Sequence, residues 1–232
     1  MHVTPPEIGL ARRFFGNATG NYEFKDGRLI ITGAMSTGTG GMTTTARNYH
    51  LVYVTKPVKA SAAYAVEVDI VMPGGTAPVS NIFDHANSLI GLAAIKGNPA
   101  TQTADQLGYW LLAHRSLTAA PPRMRKPAGA NHNNGSNSGF TAPPAATINQ
   151  TWGILRSSAT AATFTQKLDS GNVASQNDTN AIFVDTDDVY FGLIVSSNST
   201  TPSTLVITAL RVRFEGDDHY TNIDLSQTIT GP

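Results

Sequence analysis

Alternation of apolar and polar residues with a period of two is the feature that most constrains the fold of this 232-residue chain. In the run YAVEVDIVM, residues 64–72, apolar residues occupy every second position, and Glu67 and Asp69 lie between them. The run TLVITALRVRFE, residues 204–215, alternates in a similar way. Successive side chains of a β-strand point to opposite faces, so each run predicts a strand with one buried and one solvated face.

Further strand-like runs are separated by Gly, Asn, Pro or Asp, the residues typical of turns. No run shows the sustained 3.6-residue period of an amphipathic helix. The sequence therefore predicts an all-β fold, a sandwich of two antiparallel sheets of the jelly-roll kind, with long loops and extended termini. The further runs cover residues 27–33, 49–55, 88–96, 106–117, 151–158, 162–168 and 188–197.

One domain accounts for a chain of this length, because β-sandwiches of this size are often single units. We predict a sandwich over residues 21–215, with an N-terminal arm at residues 1–20 and a C-terminal arm at residues 216–232. Residues 118–147 show no periodicity, and a loop of that length inside a domain is usually functional or disordered. Only 14% of the residues are charged, so Thr, Ser, Asn and Gly must supply most of the polar surface.

The composition excludes several classes of function. The chain has no cysteine, which rules out disulfides and thiolate metal sites. The N-terminus lacks the apolar stretch of a signal peptide, and no segment approaches the roughly 18 apolar residues of a transmembrane helix. If Met1 is the native start, we expect a protein that is made in the cytosol and either stays there or leaves by another route.

Charge is unevenly distributed, although the formal net charge is zero. Residues 1–168 hold 14 of the 16 Lys and Arg residues and 7 of the 16 Asp and Glu residues, which leaves 2 and 9 for residues 169–232. We favour cancellation of these charges within the fold, and head-to-tail contact between copies is the alternative.

The order of the runs carries a resemblance to a known fold family. DGRLIITG is followed by YAVEVDIVM, SLIGLAAIK and TWGILR, and VYFGLIVSS precedes a last alternating run. This order resembles the concanavalin A-like lectin and glucanase sandwiches. The resemblance implies the same jelly-roll fold, and with it either glycan binding or glycan cleavage.

The run EVDIVM, residues 67–72, bears on the cleavage alternative. It is similar to the strand of family 16 glycosidases that carries a Glu nucleophile, an Asp and a second Glu as acid/base. Retaining hydrolysis needs two carboxyl groups about 5–5.5 Å apart. Val71 or Met72 stands in the place of the second Glu. We therefore predict that the protein is not an enzyme and that Glu67 and Asp69 are outward carboxylates of a strand.

The stretch IFDHANSLIGLAAIKG, residues 82–97, places Asp84, His85 and Asn87 before an apolar run. An Asp and a His could act as a general base, but no Ser in a G-x-S-x-G elbow accompanies them. Asp and Asn before a strand usually hydrogen-bond to the backbone of a turn, and we predict a turn here.

Aromatic residues are the candidates for glycan contact, because their faces pack against the apolar side of a sugar ring. The alternative for the tryptophans is burial in the core. The predicted glycan-binding residues are Asn87, Tyr109, Trp110 and Trp152.

A basic segment is predicted to contact a partner. Its cations have almost no acidic neighbours in the sequence, which suits an anionic partner or an acidic patch on another subunit. A solvated loop is the alternative. Aromatic residues are not interleaved as in single-strand-binding proteins, so we expect no sequence-specific nucleic acid. The predicted contact residues are Arg115, Arg123, Arg125 and Lys126.

Metal ligands are sparse in the sequence. The histidines form no i, i+4 pair, and we predict no metal or other cofactor. Calcium is the alternative, because oxygen-rich turns could supply part of its ligand shell. These turns contain Asp185, Asp187 and Asp188 in one case and Asp217 and Asp218 in the other.

The amino-acid composition and the two predicted terminal arms together favour a non-enzymatic component of a bacteriophage virion. The chain is rich in Thr, Asn, Ala and Gly, and in this it resembles capsid-decorating and tail proteins with lectin-like sandwiches. Such a protein would assemble as a homo-oligomer with other virion subunits in the host cytoplasm and could bind a cell-surface glycan. The alternatives are a free, extracellular carbohydrate-binding module, and a family 16-like glycosidase or polysaccharide lyase.

Overall fold

The computed structural model describes most of the chain. Three segments, residues 109–114, 123–125 and 135–136, are described by their backbone alone. The other described ranges are residues 8–36, 48–61, 63–71, 89–102, 149–158, 161–169, 173–178, 183–197, 199–214 and 216–231, together with Gly171.

Strands form all of the regular secondary structure in these ranges, which contain no helix and hence none that could cross a membrane. The seventeen strands are β1 (Leu10–Phe15), β2 (Ala18–Thr19), β3 (Tyr22–Lys25), β4 (Arg28–Met35), β5 (Tyr49–Val54), β6 (Val58–Lys59), β7 (Tyr64–Val71), β8 (Leu89–Lys96), β9 (Tyr109–His114), β10 (Arg123–Arg125), β11 (Gly135–Ser136), β12 (Asn149–Ser158), β13 (Ala161–Leu168), β14 (Val173–Asp178), β15 (Asp188–Ser196), β16 (Ser203–Arg213) and β17 (Thr221–Asn222).

The strands form two antiparallel sheets. Sheet 1 has the order β1-β5-β15-β8-β9-β10-β11, and β6 also pairs with β15. Sheet 2 has the order β14-β13-β12-β7-β16-β4-β2, with β17 paired to β16 and β3 paired to β4. The predicted two-sheet antiparallel sandwich is confirmed.

The main hydrophobic core lies between the sheets. In β7 the side chains of Tyr64, Val66, Val68 and Ile70 belong to this core, as the period-two pattern requires. From sheet 1 the core receives residues such as Val52 of β5. Alternation in the sequence therefore predicts correctly which side chains of β7 enter the main core, although Ala65 and Val71 are buried as well.

A tight turn joins β3 to β4. Asp26 and Gly27 have φ angles of 52° and 72°, and Lys25 pairs with Arg28 across the turn. A two-residue hairpin turn with positive φ at both positions fits the right-handed twist of the strands and favours an Asp-Gly sequence. The Asp-Gly dipeptide thus sets the register of β4.

The sandwich extends beyond the boundaries predicted at residues 21 and 215. At the N-terminal side, β1 is part of sheet 1 from Leu10 onward, paired with β5. At the C-terminal side, β17 is followed by Ile223, Leu225 and Ile229, which are buried in the main core. The predicted arms therefore belong largely to the domain itself, and residues 1–7 lie outside the described part of the chain.

The C-terminal segment, residues 221–231, crosses from sheet 2 to sheet 1. The backbone N–H of Arg12 donates to the carbonyl oxygen of Thr230 at 2.7 Å, and the N–H of Thr230 donates to that of Leu10 at 3.1 Å. The Tyr22 hydroxyl donates to the carbonyl oxygen of Ile229 at 3.2 Å. The segment thus ties the β16 side of one sheet to the edge strand of the other.

The long loop predicted for residues 118–147 contains two short strands, β10 and β11, which extend sheet 1. The other residues of this range lie outside the described part of the chain.

Candidate functional site

The outward side of sheet 2, here called the open face, is the polar surface of the sandwich. It consists of the side chains of β7, β12, β13, β14 and β16 that point away from the core. Cross-strand pairing arranges them in rows. One row contains Ala209, Asp69, Thr151, Lys167 and Val173, and the next contains Arg211, Glu67, Gly153, Thr165 and Ser175.

An ion pair lies at the centre of the open face. Both terminal nitrogens of Arg211 donate to the two carboxylate oxygens of Asp69, each at 2.6 Å. The Thr151 hydroxyl donates to Asp69 Oδ1 at 2.8 Å. Burial acts to raise the pKa of Asp69, but the hydrogen bonds from Arg211 and Thr151 outweigh it and hold the pKa below its ordinary value. Asp69 is therefore ionised and fixed in position.

Glu67 shares the same guanidinium. Arg211 Nε lies 3.5 Å from Glu67 Oε2, and the Tyr220 hydroxyl donates to Glu67 Oε1 at 3.2 Å. Burial, together with the nearby Glu67 carboxylate, raises the pKa of Tyr220 to about 12, so its hydroxyl stays protonated. One arginine thus links both carboxylates of β7.

No second glutamate follows on β7 within the described residues. Val71, which stands two residues beyond Asp69, pairs with Asn149 of β12, and Met72 lies outside the described part of the chain. Asp169 is the next carboxylate near this end of the face, where its Oδ2 accepts from the Asn149 N–H at 3.3 Å. The described part of the strand therefore carries Glu67 and Asp69 but not the second glutamate of the family 16 pattern.

Two neighbouring cavities open on this face. Both are lined in part by Thr151 and Lys167. The first has a volume of about 390 Å³, and its other lining residues are Asp69, Asn149, Gln150, Leu168, Asp169 and Thr208. The second has a volume of about 300 Å³, and its other lining residues are Glu67, Thr165, Val173 and Arg211.

Two local features of the backbone shape these cavities. The register of β16 against β7 shifts between Ile207 and Ala209, which leaves Thr208 as an extra residue exposed beside Asp69. Bulges of this kind re-aim side chains and are frequent beside binding sites. At Gly153, an added Cβ would lie 2.5 Å from Thr165 Oγ1, so only glycine keeps that part of the face clear.

Tyr220 is an aromatic residue that sequence reasoning missed. It is 38% exposed, and the Arg213 guanidinium lies 6.0 Å from the centre of its ring. The tail that carries it shows no alternation in the sequence, so only the pairing of β17 with β16 brings it to the open face.

Among the predicted glycan-binding residues that the structure describes, Trp152 lies on a different sheet from Tyr109 and Trp110. Trp152 is fully buried in the core, where its Nε1 donates to Gln150 Oε1 at 3.0 Å. The prediction that it contacts a glycan is wrong, because its ring packs between the sheets. Tyr109 and Trp110 lie on β9, in sheet 1, and Asn87 lies outside the described residues.

The predicted partner-contact residues are only partly described. Arg123 and Arg125 lie on β10, near one edge of sheet 1. Arg115 and Lys126 lie outside the described part of the chain, as do Asp84 and His85. Their contact with a partner stays a prediction.

Lysines contact the acidic turn before β15. Asp187 accepts from the backbone N–H of Val184 at 2.8 Å and pairs with Lys96 Nζ at 2.9 Å, and Asp188 pairs with Lys59 Nζ at 2.5 Å. A calcium ion would have to displace these ammonium groups. The described ranges contain no group of three His, Asp or Glu residues that could hold a metal ion.

Several solved structures share this fold. A seed lectin of Lotus tetragonolobus matches with a TM-score of 0.52 and 9% identity over 89% of this chain and 93% of the lectin. Lectin I-B4 of Griffonia simplicifolia, in its metal-free form, matches with a TM-score of 0.51 and 12% identity over 88% and 92%. A protein of unknown function from Shewanella oneidensis MR-1 matches with a TM-score of 0.55 and 13% identity over 96% and 82%.

No protein-family model matches the sequence, and a search of curated proteins found no match. At identities this low, the structural likeness concerns the fold alone. Both lectins are covered almost in full by the two-sheet sandwich described above. This chain therefore has the concanavalin A-like β-sandwich fold.

Proposed function

We propose that the protein is a non-enzymatic glycan-binding module and that the open face of sheet 2 is its binding surface. The observation that carries this proposal is the fixed cluster of Asp69, Arg211 and Thr151 with a cavity on each side. A concave site with a few convergent polar groups is the usual form of a small-ligand site.

The chemistry of the face suits a polyhydroxylated ligand. Sugar hydroxyls both donate and accept hydrogen bonds, and the face offers the carboxylate of Asp69, the hydroxyl of Thr165 and the ammonium of Lys167. The half-exposed ring of Tyr220 adds a surface for the apolar side of a sugar. Lectins with this fold give the proposal a precedent.

The same contacts argue against hydrolysis. Glu67 occupies the nucleophile position of the family 16 pattern, and the neighbouring carboxylate of Asp69 is bound by two guanidinium nitrogens and a hydroxyl, so Asp69 is not free to assist an attack. Glu67 shares that guanidinium, and β7 supplies no acid to protonate a leaving group. The alternative is a glycosidase whose general acid comes from elsewhere in the fold. Asp169 favours this alternative, because it lines the same cavity as Asp69.

Binding can be tested with one isosteric variant and one matched control. Thr151→Val removes the hydroxyl beside Asp69 and keeps the strand. Thr204→Val makes the same change on β16, at a position that lines neither cavity. We expect a glycan array to identify ligands for the wild type, and we expect Thr151→Val to weaken their affinity about tenfold, as loss of one hydrogen bond would. Equal affinities for both variants would contradict the proposal.

The enzymatic alternative needs its own assay. The wild type is incubated with β-glucans, alginate and pectin, and reducing ends and unsaturated products are measured. We expect no turnover. Turnover that is abolished by Glu67→Gln or by Asp169→Asn would overturn the non-enzymatic assignment.

A place in a bacteriophage particle, as a capsid-decorating or tail component, is proposed from composition and from the absence of cysteine. The described C-terminal segment gives no support to it, because it packs on its own sandwich. Size-exclusion chromatography with light scattering tests the expected homo-oligomer, and co-purification with particles tests the location. A stable monomer that is absent from particles would favour a free carbohydrate-binding module.

A further inference from the structure

We propose that the open face selects a neutral oligosaccharide of at least two rings, and that Thr151 and Lys167 form the wall between its two subsites. This inference rests on the proposed glycan binding and goes further by naming the size and charge class of the ligand. It would make Lys167 a specificity-determining residue.

The first step is the arrangement of the cavities. The row of Asp69, Thr151 and Lys167 runs across three strands, and one cavity lies on each side of it. Their volumes of about 390 and 300 Å³ are near the lower end of the range of about 300–1,000 Å³ for ligand pockets. Each cavity therefore suits one ring-sized group, and the two together suit two linked rings.

The second step is that the two cavities arise independently. The first lies beside the β-bulge that exposes Thr208, and the second is lined by Glu67 and Thr165, which flank Gly153 in their row. Since different strands shape them, a substitution can alter one cavity and leave the other intact.

The third step is the charge of the wall and its surroundings. Asp69 and Glu67 both contact Arg211, and Lys167 supplies the second positive charge of the two rows. Asp169 adds a third carboxylate at the first cavity, so two cations face three carboxylates around the two cavities. An acidic sugar would add an uncompensated negative charge, whereas a neutral sugar leaves the balance unchanged.

The fourth step concerns Lys167 itself. Its side chain is exposed, and its positive charge helps to lower the pKa of Asp69 without a hydrogen bond or close ion pair between its ammonium group and another described residue. An ammonium group carries three donors. Standing between the cavities, it is placed to donate to a ring on either side, so its removal should weaken the binding of linked rings most.

The test uses isothermal titration calorimetry with series of one to four rings. The probes are neutral gluco-, manno- and galacto-oligosaccharides and, for comparison, oligogalacturonates. We expect a neutral dimer to bind at least about tenfold more tightly than its monomer, because the second ring binds intramolecularly. The third and fourth rings should add little, and galacturonates should bind more weakly than the neutral series.

Two variants localise the effect. Lys167→Met should remove most of the gain from monomer to dimer. Gly153→Ala should reduce the gain, because the added methyl group would displace Thr165 at the second cavity, while monomer binding persists. Thr204→Val is the matched control and should keep the full gain. If Gly153→Ala fails to fold, as judged by circular dichroism, the exposed Lys167→Met still decides the question.

The outcomes separate the two proposals. Equal affinities for monomer and dimer, or tighter binding of galacturonates, would overturn the two-subsite inference and leave glycan binding in place. An unchanged dimer gain in Lys167→Met would also overturn it. Absence of binding by every series and on the array would overturn the proposed function and this inference with it.

Discussion

The two sheets of this sandwich have outward surfaces of opposite character. On sheet 1, outward residues such as Tyr49, Leu51 and Ile194 form a second buried apolar cluster. On sheet 2, the corresponding surface is the open face, with ion pairs, hydroxyls and two cavities. A strand buried on both sides is apolar at nearly every position, whereas a strand with one solvated side alternates.

This difference can be seen in the amino-acid sequence. Every residue of β5 is buried, and β8 is buried except at its last residue, Lys96. In β13, by contrast, buried residues occupy every second position. The nearly continuous apolar runs of β5 and β8 therefore indicate that these strands of sheet 1 are buried on both sides. The alternating run of β13 indicates that sheet 2 has one side exposed, which a ligand could reach.

The largest expected effect comes from a matched pair of leucines, one on each outward surface. Leu51 is 0% exposed and Leu155 is 38% exposed. Because a buried leucine leaves a cavity when it is truncated, Leu51→Ala should lower the free energy of unfolding by about 2–5 kcal/mol. Leu155→Ala should lower it by less than about 1 kcal/mol. Urea denaturation measures both, and equal effects would show that the two surfaces do not differ in burial.

A pH dependence should arise where the two sheets meet. His50 of β5 is fully buried, and its Nδ1 lies 2.7 Å from the carbonyl oxygen of Thr32 in β4. Burial lowers the pKa of His50 to about 4, although the hydrogen bond to Thr32 acts to raise it. The folded state therefore disfavours the charged form that the unfolded chain adopts below its pKa of 6.5.

The sign of the effect follows from that difference. His50 contributes its full stability above pH 6.5, and the contribution falls as the pH decreases toward 4, by about 3 kcal/mol in all. Unfolding free energies at pH 7.0, 6.0, 5.0 and 4.5 should decline more steeply for the wild type than for His50→Gln. Parallel curves would contradict a buried, neutral histidine between the sheets.

The smallest of these effects concerns the centre of the open face. Asp69 and Arg211 are about a quarter to a third exposed, so solvent screens part of their attraction. A double-mutant cycle with Asp69→Asn and Arg211→Met should give a coupling free energy of roughly 1–3 kcal/mol. Each single variant should also lose glycan binding. A coupling near zero, with binding retained, would mean that the pair neither stabilises the fold nor organises the site.

The sequence predicted the architecture well, because alternation is a local property. The runs that contain β7 and β16 each show which residues face the core. The site could not be predicted in the same way. Arg211 lies 142 residues from Asp69 along the chain, and only the pairing of strands in the sheet brings the two residues together. The prediction that Trp152 contacts a glycan was wrong for a different reason. The indole N–H of Trp152 donates to Gln150, which lies two positions earlier on the same side of β12 and is buried with it, so Trp152 can lie in the core without an unpaired polar atom.

Tyr220 and the C-terminal segment show the same limit. Nothing local in the tail predicts that Tyr220 reaches Glu67 or that Ile223, Leu225 and Ile229 enter the core. Their positions depend on the pairing of β17 with β16 and of Thr230 with Ala11. Contacts between distant parts of the chain carry no short-range signature.

The bond between the first strand and the last segment has a consequence for the order of folding. Sheet 1 cannot complete its edge, and the core cannot receive Ile229, until residue 230 has left the ribosome. Contacts that span nearly the whole chain form late and slow the folding of β proteins. Until then the nascent chain exposes part of its apolar interior, and closure of the sandwich must follow translation of residues 229 and 230.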